Sequence, residues 1–402
     1  MIWQPSSLGD WRVFLSLRSF GSLYKLERTR FNGFARAHFA VPEKTGFSQE
    51  GNVQNSLNNE DEEINESKLL VREASEKYIS YLEVAADQYM DALEDIEHRC
   101  TKQDEDADSI FQELTVLNES MLQVCEQFEN SVNDEAAIKA ARVAFRDKTD
   151  PIISKSYGAT RVRTWPQGYQ GDYKTIEFIY RNTSMSEGIG YYLDKYMLSA
   201  TLAVGVRERM RKLAELLKTE MINRQYPKVL DIACGSCREL HDLVPEIEKA
   251  GAHFKCIDLD SEALDFALNR LSYAGLSPDR AEFIQYNALR LFDYETALSA
   301  FGMQDIIYSV GYFDYLADDF LVKLLNTLYL MLNPSGKLIA AFKDANRYRS
   351  QLYHWFADWD GFLQRTQDDF ERIFRQAEIP ESALSMTRVK SGSIIFYIAT
   401  KR

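Results

Sequence analysis

The segment Val229–Leu240 (VLDIACGSCREL) has the residue types of a ligand-holding turn. An apolar run reaches Asp231 and gives way to Ala233, Gly235 and Ser236, side chains small enough to let a ligand meet the backbone. Asp231 sets this turn apart from the nicotinamide fingerprint, in which Gly-x-Gly-x-x-Gly meets a pyrophosphate at a helix N-terminus. A carboxylate there repels phosphate and suits a ligand with a cationic amino group. Asp258, followed by Leu259 at the end of the next apolar run, is placed to accept hydrogen bonds from both hydroxyls of a ribose. Asp260 reads equally well as a helix cap. Asn287 and Ala288 follow a third run, where a side-chain amide and a backbone N–H can read the edge of a base. Ser309, Gly311 and Tyr312 follow a fourth, where two ligands would meet. Cys234 and Cys237 have redox or zinc spacing, but they lie inside the turn and lack a second pair, so no metal is expected.

Such residues need a scaffold that ends several strands side by side. KVLDIA (228–233), HFKCIDLD (253–260), AEFIQY (281–286), QDIIYSV (304–310) and GKLIAAF (336–342) are short apolar runs. They alternate with helical stretches such as SEALDFALNRLSYAG (261–275). That alternation predicts an α/β fold over 226–402, a doubly wound, Rossmann-like parallel sheet with helices on both faces. ALSMTRVK and SIIFYIAT, joined at Ser391-Gly392, predict a terminal antiparallel hairpin.

Upstream, Leu69, Tyr78, Leu82, Tyr89, Leu93 and Ile96 recur at helical spacing, as do Phe111, Leu114, Leu117, Met121, Val124 and Phe128. They predict an α-helical bundle over 67–150 with a structural or lid role. Asp150–Pro151 is expected to end it. The stretch 151–225 then holds a turn-rich GYQGDY loop and one long helix, Tyr192–Met221. Residues 1–66 read as an aromatic, basic arm followed by an acidic linker. With 47 Lys+Arg against 61 Asp+Glu and a net charge of −14, the chain repels phosphate backbones, so no nucleic-acid partner is expected. No apolar run reaches the roughly 18–20 residues of a membrane helix, so no transmembrane segment is expected. Five scattered cysteines suit a reducing, cytoplasmic compartment.

From Lys228 to Thr400 the chain resembles class I S-adenosylmethionine-dependent methyltransferases, through its strand–Asp–small-residue turn, the acid after the second strand and the closing hairpin. It departs from the usual Gly-x-Gly-x-Gly in having Ala233 and Cys237 at the outer glycine positions. Four further segments are Gly168–Tyr173 (GYQGDY), Val206–Arg209 (VRER), Tyr308–Leu316 (YSVGYFDYL) and Asp358–Thr366 (DWDGFLQRT). As a set they resemble bacterial 3-hydroxypalmitate methyl ester biosynthesis proteins, which esterify a fatty-acid carboxylate. Related carboxyl methyltransferase domains cap peptide C-termini in cyanobacterial natural-product pathways. The resemblance implies S-adenosylmethionine as cofactor and a fatty acyl or peptide carboxylate as methyl acceptor. A carboxylate is already ionised at neutral pH, so the chemistry asks for proximity and orientation rather than a base. Donors must hold one oxygen while the other attacks. Tyr169 and Tyr312 are placed for this by the motif set, and Arg207 or Arg209 would neutralise the charge. Tyr315, Arg347 and His354 are further candidates. Were His354 a base, the acceptor would be a hydroxyl or an amine. Ala233 and Cys237 leave open a third reading, a binding protein that kept the fold and lost transfer.

Overall fold

In the computed structural model, which describes residues 59–100 and 106–402 with side chains from Lys77 onward, the apolar runs form strands. These are β1 (Lys228–Ile232), β2 (His253–Asp258), β3 (Ala281–Gln285), β4 (Gln304–Val310) and β5 (Leu332–Lys343). The closing hairpin follows as β6 (Leu384–Arg388) and β7 (Ile394–Thr400). The seven strands make one sheet of order β3-β2-β1-β4-β5-β7-β6. β1 to β5 run parallel, whereas β7 inserts antiparallel between β5 and β6. Register aligns the functional ends: Asp231 sits opposite Cys256 on β2 and Tyr308 on β4, and Asp258 sits opposite Gln285 on β3. Strand order reverses between β1 and β4, the switch point at which open α/β sheets take their ligands.

Both sheet faces are covered, as an alternating buried strand requires. Leu230, Ile232, Ile307 and Phe342 face one core, while Val229, Phe254, Tyr308 and Phe396 face another. The helices of the upstream half are α1 (Asn59–Cys100), α2 (Ala107–Ser131), α3 (Glu135–Ile153), α4 (Tyr157–Thr164), α5 (Tyr173–Arg181), α6 (Ile189–Ser199) and α7 (Thr201–Ile222). Within the sheet region follow α8 (Arg238–His241), α9 (Val244–Ala250), α10 (Ser261–Tyr273), α11 (Tyr294–Phe301), α12 (Asp318–Leu330) and α13 (Gln367–Gln376). A third core joins α1, α2 and α3 through Leu93, Leu114 and Phe145 to Trp355, which arrives from the segment after β5. Trp355 Nε1 donates to Glu129 at 2.7 Å and Arg146 donates to the His354 carbonyl at 2.7 Å, so that segment ties the helices to the sheet. Residues Glu62–Arg402 accordingly form one compact unit.

Three expectations are corrected here. The long helix Tyr192–Met221 is two helices, broken at Ala200, whose ψ of 146° leaves the helical region. The helix expected to stop at Asp150–Pro151 continues to Ile153, since a proline in the last turn removes a single N–H donor. The acidic stretch is helical from Asn59. Residues 1–58, with the basic arm and the rest of the linker, lie outside the described residues, as does the Leu69 side chain. Among the described residues, no helix is long and apolar enough to cross a membrane.

Candidate active site

Beyond β1 the backbone turns through three left-handed residues, Ala233, Gly235 and Cys237, at φ 55°, 52° and 47°. A side chain in that region costs roughly 1–2 kcal/mol. The outer glycine positions therefore keep glycine's conformation although alanine and cysteine fill them. Cys237 has a use there: its thiol is fully buried and meets Asp231 at 3.8 Å. A Cβ built on Gly235 would find nothing nearer than Tyr173 at 3.9 Å, so the space above the turn is open to a ligand.

Asp231 is buried, and burial, reinforced by Cys237 and Glu239, holds its carboxyl well above the usual range. Among the described residues no cation pairs with it, so a ligand ammonium would relieve the site. Asp231, Cys234 and Cys237 also present one oxygen and two sulfurs within 4.8 Å of one another, a grouping of metal-ligand type. Asp258 accepts from the Gly235 N–H at 2.8 Å and the Asp260 N–H at 3.0 Å. An ionised carboxylate offers about four acceptor positions, so two remain for ribose hydroxyls. Ser236 is fixed by a buried lattice: its hydroxyl donates to Glu177 at 2.6 Å, and Arg270 grips both Glu177 oxygens at 2.7 and 2.6 Å. Asn287 accepts the Leu289 N–H at 3.0 Å and keeps its amide nitrogen as a donor.

These residues line a cavity of about 1170 Å³. That exceeds the ~300–1000 Å³ of a typical small-ligand pocket and leaves room for a second molecule beside the first. From the turn, where Asp231, Gly235, Asp258, Leu259 and Ala288 form the wall, the cavity continues between Phe178, Leu198, Val206 and Tyr353. Three of the four motif segments are tied to one another beside it. Gln170 donates to the Asp358 carbonyl at 3.0 Å and accepts from the Gly361 N–H at 2.7 Å, and Trp359 Nε1 donates to the Tyr315 hydroxyl at 2.6 Å. Gly171, at φ 74°, lets this contact form: a Cβ there would come within 2.8 Å of Tyr315.

At the junction of turn and chamber stands Arg209, from α7, only 4% exposed. Its Nε meets no hydrogen-bond partner, and among the described residues no carboxylate forms an ion pair with it. Gly311 makes room for it, because a Cβ there would lie 2.9 Å from Nη1. Lys343, also buried and facing the cavity, donates to Asp314 at 2.6 Å. Burial pulls its ammonium below the usual lysine range. Glu239, buried beside Tyr308, is pushed up to about 7, chiefly by burial.

The acceptor-side expectations are partly redrawn. Tyr312 lines the cavity, and burial pushes it up to about 12, so its phenol is a donor and not a base at neutral pH. Tyr169 lines the cavity from the ribose side: its hydroxyl donates to Asp260 at 2.8 Å, while Asp260 also caps α10. Arg207 stands outside the cavity, committed to the carbonyls of Leu198 at 2.9 Å and Ile179 at 3.4 Å. Ser309 is also outside, since its hydroxyl ties β4 to β1 through the Ile232 carbonyl at 2.8 Å. His354 is buried in the π-helical turn Leu352–Phe356 and does not border the cavity. Burial and Arg142 lower its pKa, so it is a neutral core group. Arg347 is exposed and away from the site. Of the two arginines expected to neutralise a carboxylate, Arg209 is the one that enters the cavity, and α7 carries the signal: Leu202, Val206, Arg209, Leu213 and Leu217 form the buried stripe, from which Arg207 is excluded.

The residues present suit S-adenosylmethionine: Asp231 would take the amino group, Asp258 the ribose, and Asn287 and Ala288 the base, over an open backbone at Gly235. Residues 230–338 match the family model of a methyltransferase domain, a span that carries all four of these features. No curated protein matches the chain by sequence. Among solved structures, a possible exported protein from Bordetella parapertussis is 16% identical, with 82% of this chain and 97% of that one covered at a TM-score of 0.45. Magnesium protoporphyrin IX methyltransferase from Synechocystis PCC 6803, with bound SAM, is 11% identical over 50% of this chain and 84% of its own, at 0.36. The N-methyltransferase NodS from Bradyrhizobium japonicum WM9 is 15% identical over 48% and 95%, at 0.33. At such values nothing about acceptor or activity transfers from these structures to this chain.

Proposed function

We propose that this chain is an S-adenosylmethionine-dependent O-methyltransferase that esterifies the carboxylate of an apolar, acyl-type acceptor. The observation that carries the reading is Arg209, a buried guanidinium that stands where the cofactor turn meets an apolar chamber and has no ion-pair partner among the described residues. A buried cation left unpaired is costly, and an acceptor carboxylate would complete it. When bound, S-adenosylmethionine supplies an electrophilic methyl group. Asp231 and Asp258 orient the cofactor at the strand ends. Arg209 holds one acceptor oxygen, with Lys343 and the protonated Tyr312 beside it, and leaves the other free to attack. The loop at Gly168–Tyr173, stapled by Gln170 and packed on Trp359, keeps water from the reacting groups. No residue need take a proton, which agrees with His354 lying away from the cavity. The apolar walls favour a fatty acyl chain over a peptide C-terminus, whose backbone amides would go unmatched there. A cytoplasmic setting is part of the same reading, supported by the unpaired thiols of Cys234 and Cys237 in the turn.

Incubation with methyl-labelled cofactor and long-chain carboxylic acids tests this. Acid-dependent label that alkali releases as methanol is expected, because esters saponify readily. Transfer only to alcohols or amines, as alkali-stable product, would overturn the carboxylate reading.

A further inference from the structure

The two cysteines of the cofactor turn lack a second pair in the sequence, and the fold supplies a third ligand from β1. Cys234 and Cys237 close a turn in which the Cys237 N–H donates to the Cys234 carbonyl at 3.0 Å. That turn brings both thiols to Asp231. One Asp231 oxygen and the two sulfurs lie within 4.8 Å of one another, and Asp231 Oδ2 is 3.8 Å from the Cys237 sulfur. Tetrahedral zinc, with bonds of about 2.3 Å to sulfur and 2.0 Å to oxygen, sets such ligand atoms about 3.5–3.8 Å apart, so a small closure of the turn completes the geometry. Outer partners that orient metal ligands are also present. The Tyr308 hydroxyl hydrogen-bonds Asp231, and Cys256, opposite Asp231 in register, sets a third buried thiol against Cys237. Cys234 and Asp231 border the cavity, which gives an ion its way in, while Cys237 is fully buried.

We propose that Asp231, Cys234 and Cys237 form a site for a thiophilic divalent cation of the zinc class, which takes the cofactor's place at the turn. Two thiolates and one carboxylate are a borderline-soft set, unsuited to Mg2+ and Ca2+, hard cations that seek six or more oxygens. The fourth position is left to a water. Both thiols pass their protons to solvent as the two metal–sulfur bonds form, so no oxidant or reductant is involved. An ion at Asp231 withdraws that carboxylate from the cofactor's ammonium and repels the ammonium directly. Metal and cofactor therefore exclude each other, and methyl transfer is switched off while the ion is bound. Nothing in this depends on which acceptor the chamber takes.

The test titrates the reduced, chelator-free protein with Cd2+, whose bonds to thiolate absorb in the ultraviolet, and then with Zn2+ in competition. A sulfur–cadmium band that saturates at one ion per chain is expected, and Zn2+ should bleach it. Excess S-adenosylhomocysteine should bleach it too. In calorimetry, Zn2+ at ten times its own Kd should weaken S-adenosylhomocysteine about tenfold, while Mg2+ leaves the affinity unchanged. Cys234→Ala and Cys237→Gly, the latter placing a residue at ease with a φ of 47°, should each lose the band and make S-adenosylhomocysteine binding indifferent to Zn2+. A zinc effect or a band that survives both substitutions would overturn the site. So would the absence of a band on the wild type, or a band that S-adenosylhomocysteine cannot displace, and these two results stand even if a variant fails to fold.

Discussion

Arg209→Met should make the free protein more stable and the enzyme worse. In the free protein this guanidinium is 4% exposed and, among the described residues, no carboxylate is in ion-pair contact with it, the condition that breaking a buried salt bridge creates. Creating it costs roughly 3–5 kcal/mol in other proteins. Two features soften the cost here: Arg209 interacts with the Tyr180 hydroxyl and, electrostatically, with the Glu239 carboxyl, which burial pushes up to about 7. Methionine keeps the unbranched stem and removes the charge, so a stabilisation of about 1–3 kcal/mol is expected by urea unfolding. A carboxylate acceptor would lose a charge-assisted hydrogen bond worth about 1.5–3 kcal/mol, or about 10- to 150-fold in kcat/KM. Affinity for S-adenosylhomocysteine should stay unchanged by calorimetry. A destabilised variant with unchanged acid kinetics would refute the reasoning. Loss of S-adenosylhomocysteine binding would refute it differently, by assigning Arg209 to the cofactor's own carboxylate.

Asp258→Ala should weaken S-adenosylhomocysteine by about 1–3 kcal/mol, and an unchanged calorimetric affinity would exclude the ribose contact. Ala233→Gly relieves a left-handed alanine, worth roughly 1–2 kcal/mol, against about 0.4–1 kcal/mol of added unfolded-chain entropy, so a small net stabilisation should appear in urea unfolding. Glu239 is raised from 4.5 to about 7, so between those values the native state binds more protons than the unfolded one. Stability of the free protein should therefore fall as pH rises through that window, by up to about 3 kcal/mol, and a flat profile would contradict the burial. His354→Leu should leave the pH profile of methyl transfer unchanged, whereas loss of an ionisation near neutrality would restore the base reading.

Most of the sheet was legible because buried parallel strands are written as short apolar runs. The acids of the site stood out because Asp231 and Asp258 end such runs, where a carboxylate is otherwise unwelcome. Side-chain direction was harder to read. Arg207 and Arg209 share a motif, and only the helical phase of α7 separates the one that bonds to carbonyls from the one that enters the cavity. Ser309 follows the same small-residue logic as Gly311, yet the pleat of β4 turns its hydroxyl onto β1. His354 lies between residues that line the chamber, but a π-helical turn points it into the core, which periodicity cannot foresee. The break at Ala200 came without a proline or glycine, so tertiary packing sets it. Cys237 looked like a defect in a glycine pattern, and the structure gives its thiol a buried partner in Asp231.

The central claim is that charge recognition at Arg209 selects a carboxylate at the mouth of an apolar chamber. Calorimetric titration of the S-adenosylhomocysteine-loaded protein with a long-chain acid, and then with the alcohol of the same chain, tests it most directly. The account predicts that the acid binds at least about tenfold tighter and that Arg209→Met abolishes the difference. Equal binding of acid and alcohol by the wild type would contradict it.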